Sequence, residues 1–289
     1  MDKLYYKVAE CVFCILTPDA GKTARLLPSF KDFAISAPIQ ESEVHFVLSG
    51  GHSIEMPTMP PLAEGNIPGW LGSECKVGED TYILVKTDAD TYRLKAGKDW
   101  REIQTSYSVT DPTIRYLLAK TLSMAVGLVL IAEGATTIHA SVIEKQGKAL
   151  LFLGVSGTGK STHSSLWLKY VEGVSLLNDD EPIIRLLPTG KAVVYGTPWS
   201  GKTHCYRNIV ADVVALVHLH QHPENKLKRL SIKDAVASLG LSVSMPASDI
   251  FLAQKQFDNI CNLAERIPLY SLDCRPDREA VALTETLMP

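Results

Sequence analysis

The sequence predicts a mixed α/β protein, tending towards α+β, with a smaller β-rich domain over residues 1–110 and a larger domain over residues 111–289. Three observations predict this class. Short runs of β-branched and aromatic residues, separated by turn residues, fill the chain up to about residue 107. A long apolar helix then begins, and beyond it strand-like and helix-like segments alternate to the C-terminus. A chain of 289 residues is long enough for one large domain or two of ordinary size.

The composition is that of an ordinary globular protein. Apolar residues make up 46% and charged residues 21%, which excludes a disordered or collagen-like chain. A net charge of -3 provides no overall field that would attract nucleic acid or an anionic membrane, so neither is an expected partner. The N-terminus lacks a basic segment followed by a sustained apolar run, so we expect no signal peptide and a cytoplasmic location.

Of the six cysteines, only Cys11 and Cys14 are close together. One C-x-x-C pair is weak support for zinc, because a structural zinc site needs four ligands. The two residues also lie in the apolar run "VAECVFCIL", which predicts a strand. We therefore expect buried thiols here.

The remaining N-terminal segments predict strands and turns but no catalytic signature. "VHFVLSGG" is strand-like, and "TYILVK" and "TYRLK", joined by "TDAD", predict a hairpin. Between Gly50 and Gly72 the chain is crowded with proline and glycine, which predicts a long irregular connection.

The most apolar window, residues 117–134, predicts a buried helix. Its apolar character extends over about sixteen residues, whereas a membrane span needs about twenty. Asp111 is a suitable cap, Pro112 suits the first helical position, and Gly134 can close the C-terminus.

A predicted hairpin then leads into a glycine-rich loop. "TTIHASVIE" and "ALLFLG" are strand-like and flank the turn "KQGK". If the hairpin is centred on the turn 146–147, Val142 faces Leu151 and His139 falls opposite Gly154. That register would place an imidazole beside the mouth of the loop. Without the register, an isolated histidine is more often a structural residue.

Residues 154–161 satisfy the phosphate-loop pattern G-x-x-x-x-G-K-[ST] between a predicted strand and a predicted helix. The glycines let backbone N–H groups point at phosphate oxygens, and the helix N-terminus adds its positive end. Lys160 would reach the β and γ phosphates and Ser161 would hold Mg²⁺. The alternative is a glycine-rich turn that matches by chance. The residues expected to contact the nucleotide are Gly154, Val155, Ser156, Gly157, Thr158, Gly159, Lys160, Ser161 and Thr162.

Asp179 and Asp180 end the strand-like segment "VSLLNDDEPIIRLL", some twenty residues after the loop. A nucleotide site needs a metal ligand and a base at such a place. Adjacent residues of a strand point to opposite faces, so the two carboxylates should differ in role. One would contact Mg²⁺ and the other would accept a proton from the attacking hydroxyl. The alternative is a solvated turn ahead of Pro182.

A later loop, "GTPWSGKTHCYRN", carries Lys202, His204 and Arg207. These cations would clamp a γ phosphate or an anionic substrate, and the alternative is an ordinary solvated loop. His163 and Ser164, just after the phosphate loop, are expected in the first turns of the helix rather than at the reacting centre.

The stretch "IHASVIEKQGKALLFLGVSGTGKST", followed by "LLNDDEP", resembles the kinase core of HPr kinase/phosphorylase and of ATP-dependent phosphoenolpyruvate carboxykinase. The resemblance covers roughly residues 135–200. It rests on the order of a histidine, the phosphate loop and an aspartate pair. It implies that the phosphate loop sits on a mixed or antiparallel sheet, and that residues 111–289 form such a domain.

The resemblance also implies roles for the site residues. The catalytic set would be His139, Lys160, Asp179 and Asp180. His139 and Asp180 would inherit a transition-metal site, so Mn²⁺ is a second candidate beside Mg²⁺, and one aspartate would act as base towards a serine hydroxyl. A homo-oligomer is implied in the same way. Two features depart from the family: the carboxykinase is much longer, and "YGTPWSGKTHCYRN" differs from the expected phosphoprotein-binding loop.

The sequence therefore predicts an ATP-dependent, Mg²⁺-requiring kinase acting on a hydroxyl of a protein serine or of a small molecule. Within this resemblance, the chain is most similar to bacterial proteins with this core whose phosphate acceptors are not evident from sequence. The alternatives are a nucleotide-binding regulatory module without turnover, and phosphorylase or carboxykinase-type activity with the same residues.

Overall fold

The computed structural model describes residues 1–58, 61–67, 70–87, 90–201, 203–246 and 249–288. The chain divides into two units. The first comprises Met1–Leu130 and Pro246–Ala253, and the second comprises Ile131–Met245 and Gln254–Pro289. Each unit contains one large mixed sheet, so the chain is a mixed α/β protein of α+β character.

The first unit is built on a sheet whose order is β3-β1-β2-β4-β9-β8-β7-β6-β5. The pairs β2–β4 and β4–β9 are parallel, and the neighbouring pairs outside them are antiparallel. Its strands are β1 (Asp2–Val8), β2 (Cys11–Thr17), β3 (Ala34–Ile35), β4 (Phe46–Gly50), β5 (Ala63–Ile67), β6 (Trp70–Val77), β7 (Asp80–Lys86), β8 (Thr91–Ala96) and β9 (Glu102–Thr105).

The run "VAECVFCIL" is not one strand, as its sequence predicts, but a hairpin. Ala9 and Glu10 have φ angles of 48° and 70° and form the two-residue turn between β1 and β2. Positive φ at both central residues gives the turn twist that suits a tight hairpin. Cys11 and Cys14 are buried thiols on β2 that form no disulfide, and because they are three residues apart they point to opposite faces.

The stretch between Gly50 and Gly72 was expected to be irregular, and this expectation is wrong in part. Strands β5 and β6 pair through it, with Gly65 opposite Gly72. Gly65 and Gly72 lie within these two strands, so cross-strand pairing overrides the low strand propensity of glycine. The hairpin predicted from "TYILVK" and "TYRLK" is confirmed as β7 and β8.

The apolar helix of the first unit begins and ends as predicted. The Asp111 carboxylate accepts from the Thr113 N–H at 2.9 Å, and Gly134 has a φ of 76° just beyond the helix. The segment Pro112–Ile131 has a mean hydropathy of 1.7 over its most apolar window, of which half is buried, so length and composition alone would let it cross a membrane. The helices of this part are α1 (Ala20–Leu26), α2 (Arg115–Ile131) and the 3₁₀ turns Pro28–Phe33, Glu41–Glu43, Lys98–Trp100 and Pro112–Ile114.

The second unit is built on a sheet whose order is β10-β14-β15-β16-β12-β11-β13, with β18 pairing both β16 and β17. Among the described strand pairs of this sheet, only β12–β16 and β16–β18 are parallel. The strands are β10 (Ala135–Thr137), β11 (Ala140–Lys145), β12 (Lys148–Leu153), β13 (Ser175–Asp180), β14 (Ile183–Leu186), β15 (Ala192–Tyr195), β16 (Val210–Gln221), β17 (Lys226–Arg229) and β18 (Leu269–Cys274). The helices are α3 (Lys160–Tyr170), α4 (Ile232–Gly240), α5 (Ile250–Arg266) and α6 (Arg278–Glu285).

Two cores cover the two faces of this sheet. On one face, Leu153 and Leu216 pack with Ala235 of α4 and Leu263 of α5. On the other, β-strand residues pack with Trp167 of α3 and Val281 of α6. The glycine-rich loop leaves the sheet between these layers, at the end of β12.

Candidate functional site

The hairpin before the glycine-rich loop has the predicted register. Val142 pairs with Leu151, and the ladder runs to Ala140 opposite Leu153. The turn residues at 146–147 both have positive φ, as a two-residue hairpin requires. His139 lies immediately before β11, and its backbone N–H donates to the Ser242 carbonyl at 2.7 Å. The register thus places His139 beside the start of the loop.

The loop itself is a compact turn with an exposed tip. Gly154, Gly157 and Gly159 have φ angles of 142°, 87° and 105°, which L side chains rarely adopt. A Cβ at Gly154 would lie 2.5 Å from the Thr158 hydroxyl, which itself donates to the Val155 carbonyl at 2.9 Å. The helix α3 begins directly after Gly159, so its N-terminal amides face the loop. This arrangement is suited to an anion.

Lys160 is buried, at 9% exposure, and its ammonium group lies against the loop. Nζ donates to the Gly154 carbonyl at 2.8 Å and to His139 Nε2 at 2.9 Å. Burial lowers the pKa of Lys160, while the charges of Asp180 and Asp179 act to raise it. Since His139 Nε2 accepts from the ammonium, Nδ1 carries the ring proton.

That ring proton is directed at Asp180. His139 Nδ1 lies 3.0 Å from Asp180 Oδ1, and the two side chains are 43% and 32% exposed. Lys160, His139 and Asp180 therefore form one hydrogen-bonded chain that ends at a carboxylate open to solvent. The metal role implied for His139 and Asp180 would require both to exchange these hydrogen bonds.

Asp179 makes a different contact. Its Oδ1 accepts from the Ser161 hydroxyl at 2.9 Å, and the residue is only 4% exposed. Its Oδ2 is buried and has no hydrogen-bond partner within the described residues. A buried carboxylate oxygen without a partner is costly unless a cation or donor reaches it. The two adjacent aspartates thus contact two different residues of the loop region, consistent with their opposite directions on a strand.

A hard cation fits the Ser161–Asp179 pair. Mg²⁺ is commonly bound by one or two protein oxygens together with phosphate oxygens and water. Within the part of the chain that the structure describes, no group of three or more His, Cys, Asp or Glu side chains is placed to bind a metal. The residues present therefore suit a metal held jointly with a phosphate ligand.

The loop after β15 holds the aspartate strand in place. The Gly201 N–H donates to the Asp179 carbonyl at 2.6 Å, and Asn178 Nδ2 donates to the Trp199 carbonyl at 3.0 Å. A Cβ at Gly196 would lie 2.0 Å from the Arg207 carbonyl oxygen, so only glycine fits there. Backbone contacts of this loop fix the position of the carboxylates.

The two described cations of this loop, His204 and Arg207, make their hydrogen bonds away from the phosphate loop. Lys202 lies outside the described residues. His204 is exposed, and its Nδ1 is 2.9 Å from the Tyr206 hydroxyl. Arg207 donates from NH1 to the Ser175 hydroxyl and the Leu176 carbonyl, both at 2.7 Å, at the opposite end of β13 from the aspartates. The interpretation as an ordinary loop fits Arg207 better than a phosphate clamp.

His163 and Ser164 lie in the first turns of α3, as predicted. His163 is 3% exposed, and its Nε2 is 3.3 Å from the Thr284 hydroxyl. Ser164 Oγ is 2.7 Å from Ser141 Oγ. Both side chains serve the packing of α3. Thr162 is exposed on the same turn.

The end of β16 adds residues to the site that the sequence did not indicate. His218 pairs with Leu153, the residue before the loop, and Gln221 Nε2 donates to the Gly157 carbonyl at 3.1 Å. His220 stacks on His218. The alternation "HLHQ" indicates only that the two histidines share a face. Their nearness to the loop depends on the parallel pairing of β12 and β16, which are about sixty residues apart in sequence.

No protein-family model matches this chain, and a search of curated proteins finds no similar sequence. What the site does must be inferred from its own residues.

Proposed function

We propose that this protein is an ATP-dependent, Mg²⁺-requiring phosphotransferase that transfers a phosphoryl group to a hydroxyl. We further propose that its second unit has the phosphoenolpyruvate carboxykinase-like core of the HPr kinase type. One observation carries the proposal: two separate carboxylates reach the glycine-rich loop, Asp179 through Ser161 and Asp180 through His139 and Lys160. A loop that only binds phosphate does not need a second, solvent-facing carboxylate.

The loop amides and Lys160 would hold the phosphates. Lys160 is a preorganised donor, because its ammonium group is already held at the loop by the Gly154 carbonyl. A phosphate oxygen would replace these neutral acceptors with a charged one, which strengthens the hydrogen bond. In phosphoryl transfer most of the rate comes from such positioning and charge neutralisation.

The Ser161 hydroxyl and Asp179 would hold the metal. When bound, Mg²⁺ neutralises charge on the phosphate oxygens. The buried, unpartnered Oδ2 of Asp179 is the oxygen that this role uses. Asp179 is kept in place by the N–H of Gly201 on its own carbonyl.

Asp180 would act as the base. Its carboxylate is partly exposed, so an acceptor hydroxyl can reach it. His139 donates to Oδ1 and fixes the orientation of the carboxylate, which leaves Oδ2 free to accept the hydroxyl proton. As that proton leaves, the acceptor oxygen would bond to the γ phosphorus of ATP, and the bond between that phosphorus and the bridging oxygen would break to release ADP. A base must lie within hydrogen-bond reach of the proton that it removes, and Asp180 is the carboxylate with that access.

The test compares matched amide variants. Asp179→Asn should weaken Mg²⁺-dependent nucleotide binding, measured by calorimetry with a non-hydrolysable ATP analogue, by about tenfold or more, because a charged ligand is worth roughly 1.5–3 kcal/mol. Asp180→Asn should bind the analogue normally but lose transfer from labelled ATP to candidate hydroxyl acceptors. Asp258→Asn, on the exposed face of α5, is the control.

The outcomes separate the alternatives. Unchanged transfer in Asp180→Asn would exclude this residue as the base. Lys160→Ala and Asp179→Asn variants that bind the analogue like the wild type would exclude the nucleotide site. Tight binding without any transfer would favour a regulatory module, and pyrophosphate formed on adding phosphate to a phosphorylated acceptor would favour phosphorylase action.

A further inference from the structure

A pair of histidines flanks the phosphate loop on the side away from the aspartates. His218 and His220 are two residues apart on β16, and their rings stack at 4.9 Å with an angle of 17°. His218 pairs with Leu153, so its backbone is one strand spacing, about 4.8 Å, from the residue that precedes Gly154. His218 is 7% exposed, whereas His220 is exposed.

The C-terminal end of α4 contacts His218, and the residues just beyond it contact His139. His218 Nδ1 is 2.6 Å from the Ser238 hydroxyl on α4. Just beyond α4, the Ser242 carbonyl accepts from the His139 N–H at 2.7 Å. The Ser242 hydroxyl is buried and has no partner among the residues described. His218 on β16 and His139 just before β11 thus both contact the C-terminal end of α4 or the residues just beyond it, and both lie next to the loop.

This region contains several hydrogen-bond donors that an anion could use. Burial lowers the pKa of His218, and the nearby charges of His220 and Lys160 lower it further. Imidazole N–H groups and an ammonium group are all hydrogen-bond donors to an oxyanion. Two carboxylates border the region: Asp180 lies beyond His139, and Asp273 pairs with His220 on β18. An anion next to His218 would therefore accept hydrogen bonds from the imidazole and ammonium donors, against the repulsion of these two carboxylates.

We propose that His218 and His220 form an oxyanion subsite for the phosphoryl acceptor. The acceptor would then be a small hydroxyl compound that carries its own carboxylate or phosphate group. This inference rests on the proposed function, because it takes the reacting phosphate to lie at Lys160. His139 and Asp180 would receive the hydroxyl, and the histidine pair would hold the anionic group.

The experiment uses inorganic phosphate as the probe on the full-length protein saturated with Mg²⁺ and a non-hydrolysable ATP analogue. Saturation is first established by calorimetry, so that the phosphate loop is filled. The Cε1–H signals of ¹³C-labelled histidines are then followed by NMR as phosphate is added. We expect a saturable shift of the His218 and His220 signals. We also expect phosphate affinity to fall by about tenfold in His220→Gln, a loss larger than any change in analogue affinity.

The controls keep the result specific. His222→Gln replaces an exposed histidine just beyond β16 and should leave the phosphate affinity unchanged. His218→Gln should lower phosphate affinity as His220→Gln does. Because His218 is buried, its variant could fail to fold, and in that case the exposed His220 variant alone tests the subsite. Absent or unsaturable shifts with the analogue bound would overturn the subsite alone, and so would phosphate that displaces the analogue. Failure of the analogue to bind would overturn the proposed function together with the subsite.

A second arm distinguishes an acceptor-borne anion from free phosphate. Hydroxyl compounds with a carboxylate or phosphate group are compared with neutral polyols as acceptors of labelled phosphate. A preference for anionic acceptors, together with a KM for them that His220→Gln raises about tenfold, would support the subsite. Preference for neutral polyols, or equal KM values in the variant, would refute it.

Discussion

His163 should make the stability of the second unit depend on pH. It is 3% exposed, between Phe152 and the Thr284 hydroxyl. Burial lowers the pKa of His163 to about 4 from an ordinary 6.5, against the opposing effect of the Asp277 charge. The unfolded chain therefore binds a proton at a higher pH than the folded chain does, and stability must fall as pH decreases.

The size of the effect follows from the two pKa values. Above pH 6.5 the imidazole is neutral in both states and the full stability is present. Between pH 6.5 and about 4 only the unfolded state takes up the proton, so stability is lost progressively, by about 2 kcal/mol at pH 5. Below about pH 4 both states are protonated, and the loss levels off at about 3 kcal/mol.

The assay is urea-induced unfolding at pH 7.5 and pH 5 for the wild type and for His163→Gln. Because the substitution can itself change stability, the informative quantity is the change in unfolding free energy between pH 7.5 and pH 5 for each protein. Wild type should lose about 2 kcal/mol more than His163→Gln on acidification. His222→Gln, an exposed histidine, should lose as much as the wild type. Equal losses in wild type and His163→Gln would refute the assignment of a buried neutral imidazole.

Three further predictions concern stability. Thr284→Val should lower the free energy of unfolding in urea by about 2–4 kcal/mol, because the Trp167 indole N–H and His163 both lose their hydrogen-bond partner. Thr286→Val, at an exposed hydroxyl, is the control and should change the free energy little. Similar losses in the two variants would contradict the role of Thr284. Glu10→Gly should raise the thermal midpoint, gaining about 0.5–1 kcal/mol, because φ at Glu10 is 70°. Glu79→Gly, in the turn between β6 and β7, should give no gain, because Glu79 does not have a positive φ. Gly196→Ala should destabilise the protein by about 1–3 kcal/mol and reduce phosphoryl transfer, because its Cβ would collide with the Arg207 carbonyl. Gly240→Ala, which has open space at its Cβ, should be neutral or stabilising in the same thermal assay.

The site could be predicted from sequence where its parts are close in the chain. The β11–β12 register follows from a two-residue turn, and it correctly places His139 beside the loop. The segment "VSLLNDDEPIIRLL" was strand-like throughout, but Pro182 lacks the N–H that a continuous strand needs, and β13 and β14 are separate strands. The turn at Ala9 and Glu10 was missed because neither residue has the usual preference for positive φ.

Features that depend on the pairing of strands far apart in the chain could not be predicted from the sequence. The position of His218 and His220 beside the loop requires β16 to be the parallel neighbour of β12, and no local pattern specifies which strand fills that place. For Arg207, the sequence predicted a position at the site that the distant pairing of the loop does not give it. Its charge on a loop suggested anion binding, but the loop folds back along β13 and directs the guanidinium group at the Leu176 carbonyl. Short-range turn chemistry is encoded locally, whereas strand order is decided by the packing of the whole sheet.

The return of Pro246–Ala253 to the first unit limits how the protein can be dissected. A fragment that starts at Ile131 would carry this segment without Lys76, whose Nζ lies 2.5 Å from Asp249 Oδ2. Asp249 also accepts from the Leu252 N–H at the start of α5, so the loss would reach a helix that the second unit needs. No single cut of the chain separates the two units. An isolated phosphate-loop fragment would have to replace the returning segment with a linker, and biochemical work on this protein should begin with the intact chain.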